Sequence, residues 1–75
     1  MWQEKDNYLV GEFKFTDFKQ ALKFINKVGE LAEDKNHHPD IEFGWGYVRL
    51  KLQTHIEGQI TEKDRDLAAA IDQLF

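Results

Sequence analysis

The sequence predicts an α+β domain, with an antiparallel sheet and its helices segregated to one face. Three patterns carry this reading. Apolar residues alternate at period two over residues 8–15 and again on both sides of Gly46. They recur at helical spacing from Phe18 to Ala32 and again from Leu67 onward. The order is therefore strand or hairpin, helix, hairpin, helix.

The elements follow in turn. Residues 2–5 are too short to assign alone. Asp6-Asn7 reads as a turn, because both side chains bond their own main chain and tolerate left-handed backbone. Residues 8–15 form a strand with Leu9, Phe13 and Phe15 on one face and Glu12 and Lys14 on the other. Gly11 occupies an apolar-face position, where it marks a bulge or close packing. Thr16-Asp17 starts a helix, and Asp17 with Gln20 fits a capping box. Phe18, Ala21, Leu22, Ile25, Val28 and Ala32 make its stripe, widened by Phe24 and Leu31. Gly29 costs about 1 kcal/mol against Ala in a helix, so close packing is expected there. Pro39 disfavours helix at His38, which ends the helix near Lys35.

Ile41, Phe43 and Trp45 then alternate against Val48, Leu50 and Leu52. A turn at Trp45-Gly46 pairs Phe43 with Val48 and Ile41 with Leu50, apolar against apolar. After a loop containing Gly58, Thr61 and Asp64 form a second capping box. Leu67, Ile71, Leu74 and Phe75 supply that helix's stripe.

Seventy-five residues leave room for one domain, 1–75, and one core. A chain this size buries only about 60% of the surface its unfolded form exposes. It has no Cys, so disulfides do not help, and a homo-oligomer is expected. Hydrophobic residues at 41% argue against a disordered chain. A net charge of −4 argues against direct nucleic-acid binding. The longest aliphatic run, 67–71, is far short of the roughly 20 residues that span a bilayer. No signal or transit segment is visible at the N-terminus. A soluble, cytoplasmic protein with no membrane partner is expected.

All three histidines lie in Asn36-His37-His38-Pro39 and Thr54-His55. In the hairpin register above, His55 falls opposite residue 36 and His38 opposite Gln53, so the imidazoles should gather at one end of the hairpin. They read as surface polar groups, as zinc ligands or as acid/base groups. Adjacent His37 and His38 point apart in most conformations, no thiolate exists, and even with Glu33 the spacing matches no common zinc site. No metal is expected. Imidazoles with pKa near 6.5 donate and accept protons at neutral pH, which suits a reaction that moves two protons. Glu33 stands in the last helical turn, where a carboxylate opposes the dipole, a placement that favours function. The capping box explains Asp64, yet it also fixes the helix start beside the histidines. Pro39 stops the helix and aims His37 and His38. Lys14, Arg49 and Lys51, on the polar sheet face, read as solvated or as part of a subunit contact.

At these residues the chain resembles a family. Glu33-Asp34-Lys35-Asn36-His37-His38-Pro39, then Thr54-His55, then Thr61-Glu62-Lys63-Asp64, are similar to the signature of the pterin-4a-carbinolamine dehydratases. Spacing agrees, with 17 residues between His37 and His55 and eight between His55 and Asp64. The segment around Phe13, Phe15, Asp17 and Phe18 is similar too. Family members usually carry a helix before the tryptophan that Trp2 resembles, whereas this sequence begins there, as a short form. Trp45 stands where Tyr is frequent, and Gly58 is alone where a Gly pair is common.

The resemblance implies a four-stranded antiparallel sheet with two helices on one face. It implies dehydration of 4a-hydroxytetrahydropterin, the product left by aromatic amino acid hydroxylases, to quinonoid dihydropterin. It also implies that no cofactor is needed, since the ring nitrogen's own electrons expel the hydroxyl. The catalytic set it implies is His37 and His55 as acid/base groups, with Glu33 and Asp64 beside them. The substrate-binding set is His38, Pro39, Thr54 and Trp2, which either stacks on the flat pterin or covers the core edge. Family members form dimers through sheet edges and tetramers through helices, so a homodimer or homotetramer is implied. The rival reading is a non-catalytic binding or dimerisation module, as in animal members that serve as cofactors of a homeodomain transcription factor.

Overall fold

The computed structural model describes residues 2–75. In chain order the elements are β1 (Trp2–Lys5), β2 (Tyr8–Lys14), α1 (Phe18–Lys35), β3 (Asp40–Gly44), β4 (Tyr47–Leu52) and α2 (Glu62–Asp72). The strands form one antiparallel sheet in the order β1-β2-β4-β3. The expected α+β architecture is what the chain adopts.

Residues 2–5, too short to assign from sequence, are an edge strand because of the turn beside them. Asp6 and Asn7 both take positive φ, 54° and 66°. That pair of left-handed residues matches the twist of a two-residue hairpin and folds β1 back onto β2. Gly11 makes no bulge, since it pairs with Trp2 and Leu50 in unbroken ladders. Its missing side chain admits the Trp2 indole, because a Cβ there would lie 2.7 Å from the ring. The β3–β4 register is the expected one, Phe43 against Val48 and Ile41 against Leu50. The turn falls at Trp45-Gly46 as expected, so Trp45 leaves the alternation and is 72% exposed, while Gly46 takes φ 79°.

One core joins the layers. Leu9, Phe13, Val48, Leu50 and Leu52 from the sheet meet Ala21, Phe24 and Val28 of α1 and Leu67, Ala68 and Ile71 of α2. The α1 stripe is rotated from its expected centre. Phe24 lies in its middle, while Phe18 and Leu22 are partly exposed. Phe18 stacks on Phe43, with ring centroids 5.3 Å apart. Gly29 is not a packing contact, because a Cβ there would meet nothing within 4 Å.

The opposite sheet face is polar and is organised by Arg49 at the centre of β4. Its guanidinium donates to Glu12 on β2 (2.9 Å) and to Glu42 on β3 (2.5 Å), its register partners on either side. Lys51 lies 4.3 Å over the Tyr8 ring. Arg49 and Lys51 are therefore engaged within the chain. No helix is long and apolar enough to cross a membrane among the described residues.

Candidate functional site

The end of α1, the end of β4 and the start of α2 converge, and each has a local cause. At the end of α1, Asn36 adopts left-handed backbone, φ 52°. Its N–H donates to the Glu33 carbonyl and the His37 N–H to the Ala32 carbonyl, 3.0 Å, closing a Schellman turn. Asn tolerates this conformation better than most residues. Asn36, ahead of Pro39, is thus what stops the helix and sets the direction of His37. At the end of β4, Thr54 bridges to Gln59, and the N–H groups of Glu57 and Gly58 both donate to its carbonyl at 2.9 Å. Gly58, φ 66°, lets this turn close. At the start of α2, Thr61 and Asp64 make the expected capping box in full, with the Thr61 N–H donating to Asp64 Oδ2 at 2.9 Å.

Asp64 ties these ends together. Its Oδ1 lies 2.5 Å from His37 Nε2, and its Oδ2 also accepts from the Thr54 hydroxyl at 3.0 Å. Thr54 and Thr61 hydroxyls are 2.6 Å apart. Asp64 is 0% exposed. Among the described residues it and Thr54 are the only buried polar or charged side chains. Burial pushes the Asp64 carboxyl up. Hydrogen bonds from His37, Thr61 and Thr54, and the charge of His37, outweigh burial and hold it below the usual carboxylate range. A capping carboxylate needs no such depth, so the box does not account for Asp64 alone.

The other histidines have partners of their own. His38 Nε2 lies 2.5 Å from Glu33 Oε2 in an open setting, with side chains 55% and 78% exposed. His55 is exposed, and its Nδ1 lies 3.1 Å from Gln53 Oε1, while the Gln53 amide donates to the Asn7 carbonyl. The three imidazoles share one end of the hairpin but are wired to three different groups. Among the described residues no cluster of three His, Asp or Glu side chains is set to hold a metal ion. Pro39 is half-buried beside His38 and Ile41. Thr54 does not offer its hydroxyl to a ligand, because Asp64 and Thr61 engage it. Trp2 is not brought to this cluster. Its indole N–H donates to Asp72 at the far end of α2, and its ring packs on Gly11 and edge-on to Phe13. Seven residues of helix lie between Asp64 and Asp72, an axial rise of about 12 Å.

A sequence model of the family described as pterin 4 alpha carbinolamine dehydratase matches residues 1–74. The chain belongs to this family. A relative from Rubrobacter xylanophilus, named for pterin-4-alpha-carbinolamine dehydratase, is 47% identical over 74 residues. The match spans 97% of this chain and 69% of that one. A Picosynechococcus relative of the same name is also 47% identical, over 97% of this chain and 79% of its own. Two solved structures share the fold. One is a transcriptional coactivator/pterin dehydratase from Brucella melitensis, TM-score 0.90, 32% identical, covering 96% of this chain and 79% of that one. The other is a pterin dehydratase-like protein identified as a RuBisCO assembly factor in the alpha-carboxysome. It has TM-score 0.79 and 31% identity, covering 99% of this chain and 86% of that one.

Within this dehydratase family fold, two residues stand out that sequence reading did not assign to the site. Thr61 appears there only as a cap, and Gln53 only as the residue opposite His38. The signal for Thr61 was its spacing to Asp64 together with Thr54 ahead of it. Gln53 carried none, since a lone glutamine at a strand end is ordinarily solvated.

Proposed function

We propose that the chain dehydrates 4a-hydroxytetrahydropterin to quinonoid dihydropterin and water, in recycling the pterin used by aromatic amino acid hydroxylases. The C4a–O bond breaks, the hydroxyl leaves as water after gaining a proton, and N5 loses its proton. The pterin nitrogen electrons drive the departure, so the protein has to supply one acid and one base. His37 and His55 carry those two roles. His38, steadied by Glu33, positions the pterin with Pro39. Asp64 acts through His37 as a positioning residue.

The observation that carries this reading is the fully buried Asp64 carboxylate bonded to a half-buried histidine. Removing a charge from water costs several kcal/mol unless partners offset it. An orienting carboxylate behind an imidazole is an arrangement that acid/base chemistry uses. A second reading, a binding or assembly module, is favoured by the likeness to the RuBisCO assembly factor. The family match with relatives named for the dehydratase, together with the buried pair, favours turnover.

The test is the decay of the 4a-carbinolamine absorbance in a coupled hydroxylase assay. Wild type accelerates it, and His37→Ala slows it by about 10²-fold or more. No acceleration by well-folded wild-type protein moves the assembly reading ahead. The same reading includes a homo-oligomer, because β1 and β3 leave two sheet edges open and Phe18, Leu22 and Ile41 stand partly exposed. Sedimentation at micromolar concentration should show a mass above the 8.9 kDa chain. A stable monomer would contradict it.

A further inference from the structure

Hydrogen-bond directions around Asp64 can be followed atom by atom. Asp64 is held below the usual carboxylate range, so both its oxygens are acceptors. The backbone N–H of Thr61 is an obligate donor to Oδ2. The Thr54 hydroxyl, 3.0 Å from the same oxygen, spends its one proton there. At the 2.6 Å contact between the two threonines, Thr61 must then be the donor and Thr54 the acceptor. The Thr61 oxygen in turn accepts from the Lys63 N–H, 3.3 Å. The chain of donors therefore runs Lys63 N–H to Thr61, Thr61 to Thr54, and Thr54 to Asp64, with no group asked to donate twice.

The other end of the carboxylate follows. Oδ1 has no proton to give, so His37 Nε2 must donate to it across 2.5 Å. Neutral imidazole carries one N–H. Once Nε2 holds it, Nδ1 is bare. Nδ1 has no hydrogen-bond partner among the described residues, and no partnerless polar atom there is sealed from solvent. It is the open nitrogen of the ring.

We infer that Thr61 is a positioning residue: its hydroxyl commits the Thr54 proton to Asp64 and so aims the carboxylate that holds His37 in the Nε2–H form, leaving Nδ1 to meet the substrate. The cap of α2 and the tautomer of a histidine on the far side of the site are thereby one hydrogen-bond system. The kinetic part of this inference rests on the dehydratase reading, while the tautomer part does not.

The experiment is long-range ¹H–¹⁵N correlation spectroscopy of the histidine side chains, on the full chain above the imidazole titration range, with kinetics in parallel. Wild type should show His37 protonated at Nε2 and bare at Nδ1. Thr61→Val should keep that tautomer, because Asp64 stays ionised, yet lower kcat about 10-fold, the worth of one hydrogen bond, with KM nearly unchanged. Thr61→Ser should restore kcat. Thr54→Val cuts the relay but leaves the Thr61 to Lys63 cap in place, so it carries the test if Thr61→Val does not fold. A wild-type His37 protonated at Nδ1 overturns the inference. So does a folded Thr61→Val or Thr54→Val protein with the wild-type kcat. Because the spectra need no substrate, absence of pterin turnover would remove the dehydratase reading and leave the tautomer decided by the spectrum.

Discussion

Two histidine–carboxylate pairs lie side by side in this molecule, both 2.5 Å apart, in opposite surroundings. His37 and Asp64 have side chains 14% and 0% exposed, while His38 and Glu33 are 55% and 78% exposed. The chemistry of the partners is the same, so environment sets the difference. Around the open pair water screens the charges, and such contacts contribute about 0–1 kcal/mol. Around the closed pair each lost partner leaves a charge without compensation. The closed pair is held in one geometry, whereas the open pair is free to move.

The largest effect should come from removing the buried carboxylate. Asp64→Ala deletes the cap and the partner of His37, Thr54 and Thr61, and should cost about 3–5 kcal/mol. In a domain of this size each kcal/mol shifts Tm by roughly 4–8 °C, so calorimetry should show a drop above about 10 °C. A loss no larger than the cap's usual ~0.5–2 kcal/mol would mean the pair adds nothing. Next come the imidazoles. His37→Ala and His55→Ala should each lower kcat by about 10²-fold or more. The double variant should lose less than the product of the two, because both act on one event. His38→Ala should act mainly on KM, since a positioning contact is shared by ground and transition states. Wild-type kcat in both single variants, with normal folding, would break the catalytic reading.

The pairs should also separate by pH. Asp64 titrates lower in the folded chain than in the unfolded one. Its stabilisation is therefore complete above the ordinary Asp value of about 3.9 and is lost as pH falls through the lower folded value. Wild-type Tm should fall over that window more steeply than that of Asp64→Asn. Parallel curves would show that the carboxylate is not held by the fold. The smallest effect belongs to Glu33→Gln, whose cost in urea unfolding should stay below about 1 kcal/mol.

How much of this was legible in the sequence divides along the same line. The hairpin register, both helix starts and the gathering of the histidine segments follow from local patterns, namely alternation, capping residues and Pro39. The β1 strand did not, because residues 2–5 have little pattern and depend on the left-handed Asp6-Asn7 turn. Trp45 fits an alternating pattern that the turn interrupts. The depth of Asp64 was hidden for another reason. A capping box reads the same on a surface helix as on a buried one, and here burial arises only when Thr54 and His37 close over it from distant parts of the chain. Trp2 left two readings open, and its bond to Asp72 and seat on Gly11 place it at the core edge.

One measurement sets the two pairs against each other directly: kcat for Asp64→Asn and for Glu33→Gln, each an isosteric loss of one charge, assayed on the 4a-carbinolamine beside wild type. Asp64→Asn should fall by about 10²-fold or more, while Glu33→Gln stays within about threefold. Equal losses, or a larger loss for Glu33→Gln, would contradict the claim that the buried pair is the reactive centre.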